Sequence, residues 1–147
     1  MTEQFTHFNV SDIALKMAVA VGMGMLIGLE RNWSHKEAGV RTFAIISLTG
    51  MLSAQVSNLL VVAGLGGVCL LILISNVRSF ITERNTEITT SAALLACYIL
   101  GVLTGLGHMF TPVAGTIIIT MLLAWKEELS KFAGGLQTSE VRSAILL

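Results

Sequence analysis

Charge is what this sequence has least of. Of its 147 residues only 12% are Asp, Glu, Lys or Arg, with 9 of each sign, so the formal net charge is zero. A soluble domain carries roughly a quarter charged residues. A neutral chain has no electrostatic footprint for nucleic acid. Proline occurs once, so the chain is not a low-complexity linker. Aromatic residues make up 6%. There are two cysteines, Cys69 and Cys97, both inside apolar runs, where they read as small buried residues and not as a disulfide or metal pair. The N-terminus has no Lys or Arg before Lys16 and no small-residue cleavage site, so it lacks the marks of a secretory signal.

What remains is apolar. Hydrophobic residues are 54% of the chain and the mean hydropathy is +0.80. So small a globule cannot bury that much apolar surface, and the medium it implies is a bilayer. The pattern divides into a polar tail (1–12), a membrane domain (13–125) and a C-terminal segment (126–147). Ser11 or Asp12 is expected to cap a first span, Ile13 to Leu29, with Lys16 snorkelling from its start. Thr42 to Val77 is uncharged and too long for one span. At ~1.5 Å per residue it would run ~54 Å against a core of ~30 Å. The cluster Gln55, Ser57, Asn58 marks the expected turn between two spans. A short charged loop follows, with Arg78, Glu83, Arg84 and Glu87. Thr89 to Trp125 is again divided, by the stretch from Gly105 to Pro112, with Thr111 expected as cap and Pro112 as first helical residue. Beyond it, Trp125, Leu129 and Phe132 share one face of an amphipathic segment that Gly134-Gly135 ends.

The expected fold is therefore all-α, a transmembrane bundle of about five spans. Eight of the nine basic residues lie in the 30–41 loop, the 78–87 loop and the tail after Trp125. The positive-inside rule puts these in the cytoplasm and the N-terminus in the periplasm, with Trp33 and Trp125 at the inner boundary. Small residues recur every four positions as Ala20, Gly24, Gly28, as Ala14, Ala18, Gly22, and as Cys97, Gly101, Gly105. Such rows let helices approach closely, within the chain or between copies, so Ala20, Gly24, Gly28, Gly101 and Gly105 are the expected packing positions.

No nucleophile stands beside a base, and no phosphate loop or zinc spacing occurs, so the chain is not expected to be an enzyme. His7, His35 and His108 fall in the tail and in turns, where they read as solvated. Charges at a membrane boundary are costly alone, which singles out Glu30, Arg31, Arg41 and Glu87, with the hydroxyls of Thr42, Thr89 and Thr90, as a polar cluster. The expected pair is Glu30 with Arg41, directly or through Glu87. Carboxylates and hydroxyls suit Mg²⁺, but the arginines oppose a cation. No carboxylate falls at mid-span, so a cation path would rely on backbone carbonyls or on Gln55, Asn58 and Asn76.

Gly28-Leu-Glu-Arg31, then Ala38-Gly-Val-Arg-Thr42, then Glu87-Ile-Thr-Thr90 together resemble the MgtC/SapB family of bacterial inner-membrane proteins. The likeness runs from about Met23 to the end and is nearest the longer subgroup, whose membrane part continues through further helices. Many shorter members add a soluble C-terminal domain that has no counterpart here, and longer members carry a second membrane half that would begin where this chain ends, so the resemblance leaves open a fragment or a protein that needs a partner. The resemblance implies a role in magnesium homeostasis. It carries over the motif residues Glu30, Arg31, Arg41, Thr42, Glu87, Thr89 and Thr90. The reading that follows is a non-enzymatic inner-membrane protein acting through contacts with other membrane proteins or as a homo-oligomer, in contact with lipid. The alternative is a subunit of a Mg²⁺ transporter. No cofactor is expected, and the sequence does not show Mg²⁺ bound.

Overall fold

A computed structural model describes residues 10–36, 38–83 and 88–125. Among them it contains five α-helices and no strand: α1 (Val10–Trp33), α2 (Val40–Val56), α3 (Asn58–Glu83), α4 (Ile88–Gly105) and α5 (Phe110–Ala124). The fold is all-α, as the lengths of the apolar runs led us to expect. The tail before Val10, Glu37, the 84–87 stretch and the segment after Trp125 lie outside the described residues, and with them Glu87 and the amphipathic face of Leu129 and Phe132.

α1, α3 and α4 are long and apolar enough to cross a membrane. α2 and α5 are apolar but shorter, at 17 and 15 residues. At ~1.5 Å per residue, α5 as described spans ~22 Å, less than a hydrocarbon core of ~30 Å.

α2 is the central element, with α1 along one side and α4 along the other. The small-residue rows explain why. A Cβ at Gly24 would lie 2.5 Å from the Phe43 carbonyl oxygen, and one at Gly28 would lie 2.5 Å from Val40 Cα. Ala20, in the same row, is fully buried. On the far side, Gly101 lies against the Ser47 carbonyl and a Cβ at Gly105 would meet the Met51 carbonyl oxygen at 2.5 Å. The five expected packing positions thus all lie at contacts inside this chain. The second row on α1 behaves differently: Ala14, Ala18 and Gly22 are exposed, and nothing lies within 4 Å of a Cβ at Gly22.

Phe43, Ile27, Met51, Tyr98 and Cys97 form the most deeply buried part of the core. α5 closes it against α1 and α4. α3 is the least embedded helix. Of its residues with described side chains only Val68 and Ser79 are buried, and its hydrogen bonds to α4 include Tyr98 Oη donating to the Val61 carbonyl at 2.8 Å and Asn76 Nδ2 donating to Ser91 Oγ at 2.8 Å.

The helix boundaries depart from the sequence expectation at both kinds of start. Ser11 and Asp12 do not precede α1 but lie in its first turn, where Asp12 pairs with Lys16 at 2.8 Å. α5 begins at Phe110, so Thr111 does not cap it and Pro112 stands third. That place still suits proline, because the first turn's N–H groups have no helical acceptor. The break between α2 and α3 falls on Ser57, whose extended backbone interrupts the run and whose Oγ accepts from Leu60 N at 3.2 Å. α3 extends to Glu83, so Arg78 and Glu83 belong to a helix and not to a loop.

Candidate functional site

The short antiparallel connections bring the end of α1, the start of α2, the end of α3, the start of α4 and the end of α5 to one side of the bundle. α1 stops there in a Schellman turn. Lys36 N donates to the Arg31 carbonyl at 3.0 Å and His35 N to the Asn32 carbonyl at 3.2 Å, with His35 at φ 54°. The turn redirects the chain within a few residues, so that Gly28 can lie against the start of α2.

Two charged side chains are buried at this end. Glu30 and Arg31 are 5% and 1% exposed. Arg31 Nε donates to Glu30 Oε2 at 2.6 Å and Nη2 donates to Oε1 at 2.9 Å, a two-pronged contact between sequence neighbours. Ser34 Oγ, one turn on, donates to Oε1 at 2.8 Å. Arg31 Nη2 also reaches the Leu123 carbonyl of α5 at 3.4 Å. That carbonyl lies in a last helical turn, the negative end of the helix, so a cation is favoured there. The group is thus a neutral pair that ties α1 to α5. Arg31 Nη1 is buried without a hydrogen-bond partner.

Among the described residues Glu30 does not pair directly with Arg41, and the expected route through Glu87 lies outside them. Arg41 and Thr42 open α2 on its exposed face, and Glu30 is taken up by the neighbouring arginine. Adjacent residues on a helix point about 100° apart, a geometry that ordinarily argues against their meeting. The length of the arginine stem overcomes it. Glu87 is outside the described residues. Thr90 is buried and Thr89 half-buried in the first turn of α4.

Thr90 lines a second polar feature at the same end. A cavity of about 30 Å³ lies between α3 and α4, bordered by Ser75, Asn76, Ser79, Thr90 and Ser91, with Ala38, Ile72 and Leu94 completing its wall. Of these only Asn76 and Thr90 stood out in the sequence. The spacing of Ser75, Asn76 and Ser79 around the end of the uncharged run was the available signal, since residues one turn apart share a helix face. Gln55 and Asn58 do not join it. Gln55 Nε2 instead donates to the Gly105 carbonyl at 2.8 Å, covering the end of α4.

Among the described residues no group of three or more His, Cys, Asp or Glu side chains is placed to hold a metal ion. The Glu30 site is a poor fit to Mg²⁺. One carboxylate oxygen faces Nε, the other faces Nη2 and the Ser34 hydroxyl, and a guanidinium in contact repels a cation.

The family model for MgtC matches residues 17–132, most of the chain. No curated protein and no solved structure gives a match.

Proposed function

This chain belongs to the MgtC family, membrane proteins involved in magnesium homeostasis, and from that premise we propose that it acts through contacts with other membrane proteins and not as an enzyme or an ion carrier. The observation that carries this reading is the state of Glu30. Its carboxylate is buried, and both its oxygens are engaged by Arg31 and Ser34. A carrier of divalent cations needs carboxylate oxygens free to replace water around the ion. Here the carboxylate serves instead to neutralise an arginine that fastens two helices.

In this reading the protein resides in the bacterial inner membrane, with the Glu30 end toward the cytoplasm. Its exposed apolar faces meet lipid and partner helices. The row Ala14, Ala18, Gly22 offers a second copy, or another membrane protein, a surface for close approach.

Magnesium flux into liposomes carrying the purified chain tests the proposal. The expected flux equals that of empty liposomes, while photo-crosslinking from position 18 in cells captures a membrane protein. A saturable flux that is lost in Glu30→Gln would overturn it in favour of a transporter subunit.

A further inference from the structure

α3 carries a cation on the face it turns away from the bundle. Its rotation is set by the opposite side, where Asn76 Nδ2 donates to Ser91 Oγ of α4 at 2.8 Å and Ser79 is buried. Ile74, Val77, Arg78 and Ile81 recur at the spacing of one helical stripe, and all four are exposed. With Leu73 they line an open hollow of about 450 Å³. Ligand pockets span roughly 300–1,000 Å³, with apolar walls and a few polar groups that fix orientation. Here four of the five residues are aliphatic and the fifth is a guanidinium.

The place of Arg78 along α3 says what meets it. It stands 20 positions after Asn58, the polar residue that opens the helix. At ~1.5 Å per residue that is ~30 Å, the thickness of a hydrocarbon core. With Asn58 at one boundary, Arg78 reaches the other, and Leu73, Ile74 and Val77 lie beside acyl chains. An exposed guanidinium at that level meets lipid phosphate, and its planar fork can give a phosphate two hydrogen bonds. A free phosphate ion gains nothing from four aliphatic side chains. An amphiphile matches both parts of the hollow. In a zwitterionic lipid the phosphate is already balanced by the lipid's own ammonium. An anionic phosphodiester is not, so it keeps the whole attraction of the cation.

We propose that this face of α3 binds an anionic phospholipid, with its phosphate on Arg78 and an acyl chain along Leu73, Ile74 and Val77. The lipid covers the helix that is least embedded in the bundle. The site lies on a different helix from the Ala14, Ala18, Gly22 row and stands whether or not that row meets a partner.

The test is the melting temperature of the purified full chain in a neutral detergent, titrated with phosphatidylglycerol, phosphatidylcholine or sodium phosphate. Phosphatidylglycerol is expected to raise it saturably, since a ligand that binds only the folded state stabilises it. Phosphatidylcholine should raise it less at the same concentrations, and sodium phosphate should give no saturable rise. Arg78→Gln should raise the half-saturating phosphatidylglycerol concentration about fivefold, the share of one basic residue at an anionic surface. Arg78→Lys keeps the charge and should stay within about twofold of the parent, which separates loss of the site from loss of the fold. Equal responses to the two lipids overturn the proposal. So does an Arg78→Gln variant that responds like the parent, or an Arg41→Gln variant that loses as much, since the attraction is then diffuse. A saturable response to sodium phosphate that Arg78→Gln weakens would assign the site to the free ion instead. Efficient disulfide-linked dimers from Val77→Cys, in a chain with Cys69 and Cys97 replaced by alanine, would give the face to a second copy and overturn it as well.

Discussion

At the scale of single residues, His35 shows a position where the backbone requirement and the side chain disagree. It occupies the left-handed place of the Schellman turn after α1, which glycine fills best, as Gly107 does at φ 96° in the matching turn after α4. A non-glycine residue there carries a penalty on the order of 1 kcal/mol. His35→Gly should therefore stabilise the chain by up to about 1 kcal/mol, reduced by the added freedom of the unfolded chain; reversible unfolding in mixed micelles measures it. Glu30 and Arg31 predict the opposite sign. Arg31→Ala leaves a buried carboxylate unmatched, at about 3–5 kcal/mol, and a Glu30→Gln, Arg31→Met double variant should recover part of that loss. Arg41→Ala, at an exposed position, should stay within about 0.5 kcal/mol. A double-mutant cycle on 30 and 31 against one on 30 and 41 separates the pairs, with coupling expected only in the first. The sequence made the importance of Glu30 and Arg31 legible through their depth at a membrane boundary. It did not reveal their mutual contact, because helical spacing favours partners three or four residues apart and is silent about how far an arginine stem can bend.

At the scale of elements, backbone contact between helices explains which small residues matter. Gly22 and Gly24 lie two positions apart on α1, yet a Cβ meets nothing at the first and the α2 backbone at the second. Gly24→Ala should cost about 1–3 kcal/mol by overpacking. Gly22→Ala should be neutral within about 0.5 kcal/mol in the monomer. Thermal unfolding of both variants side by side checks the contrast, and equal behaviour would count against the packing described here. The rows of small residues were visible as a period of four. Ala20, Gly24 and Gly28 were the row expected to pack on α1; that their partner is α2 of the same chain was not legible, because the spacing is the same for a contact within the chain and for one between copies. The α2–α3 break was legible from Gln55 to Asn58 because polar groups interrupt an apolar run. The helix starts were less so: α1 as described begins three residues before Ile13, and α5 begins two residues before Pro112, the residues expected to start them.

At the scale of the molecule, the antiparallel order puts His35 and the start of α4 at one end and Ser57 and His108 at the other. With the positive-inside rule, the His35 end is expected in the cytoplasm. In a background with Cys69 and Cys97 replaced by alanine, His108→Cys should react with a membrane-impermeant thiol reagent in intact cells. His35→Cys should react only after the membrane is opened. The reverse pattern would invert the orientation. The fold class followed from composition together with the lengths of the apolar runs, whereas the central place of α2 did not, because nothing in a run of uncharged residues distinguishes a helix enclosed on two sides from one, such as α3, that is mostly bare. The Glu30–Arg31 contact has a further consequence for how such a molecule is made. Two opposite charges that neutralise each other as chain neighbours need no later segment to do so. α1 can leave the ribosome and enter the bilayer already balanced, some ninety residues of synthesis before Leu123 arrives to accept the remaining hydrogen bond. The order of translation therefore never obliges an isolated charge to wait in the lipid for its counterpart.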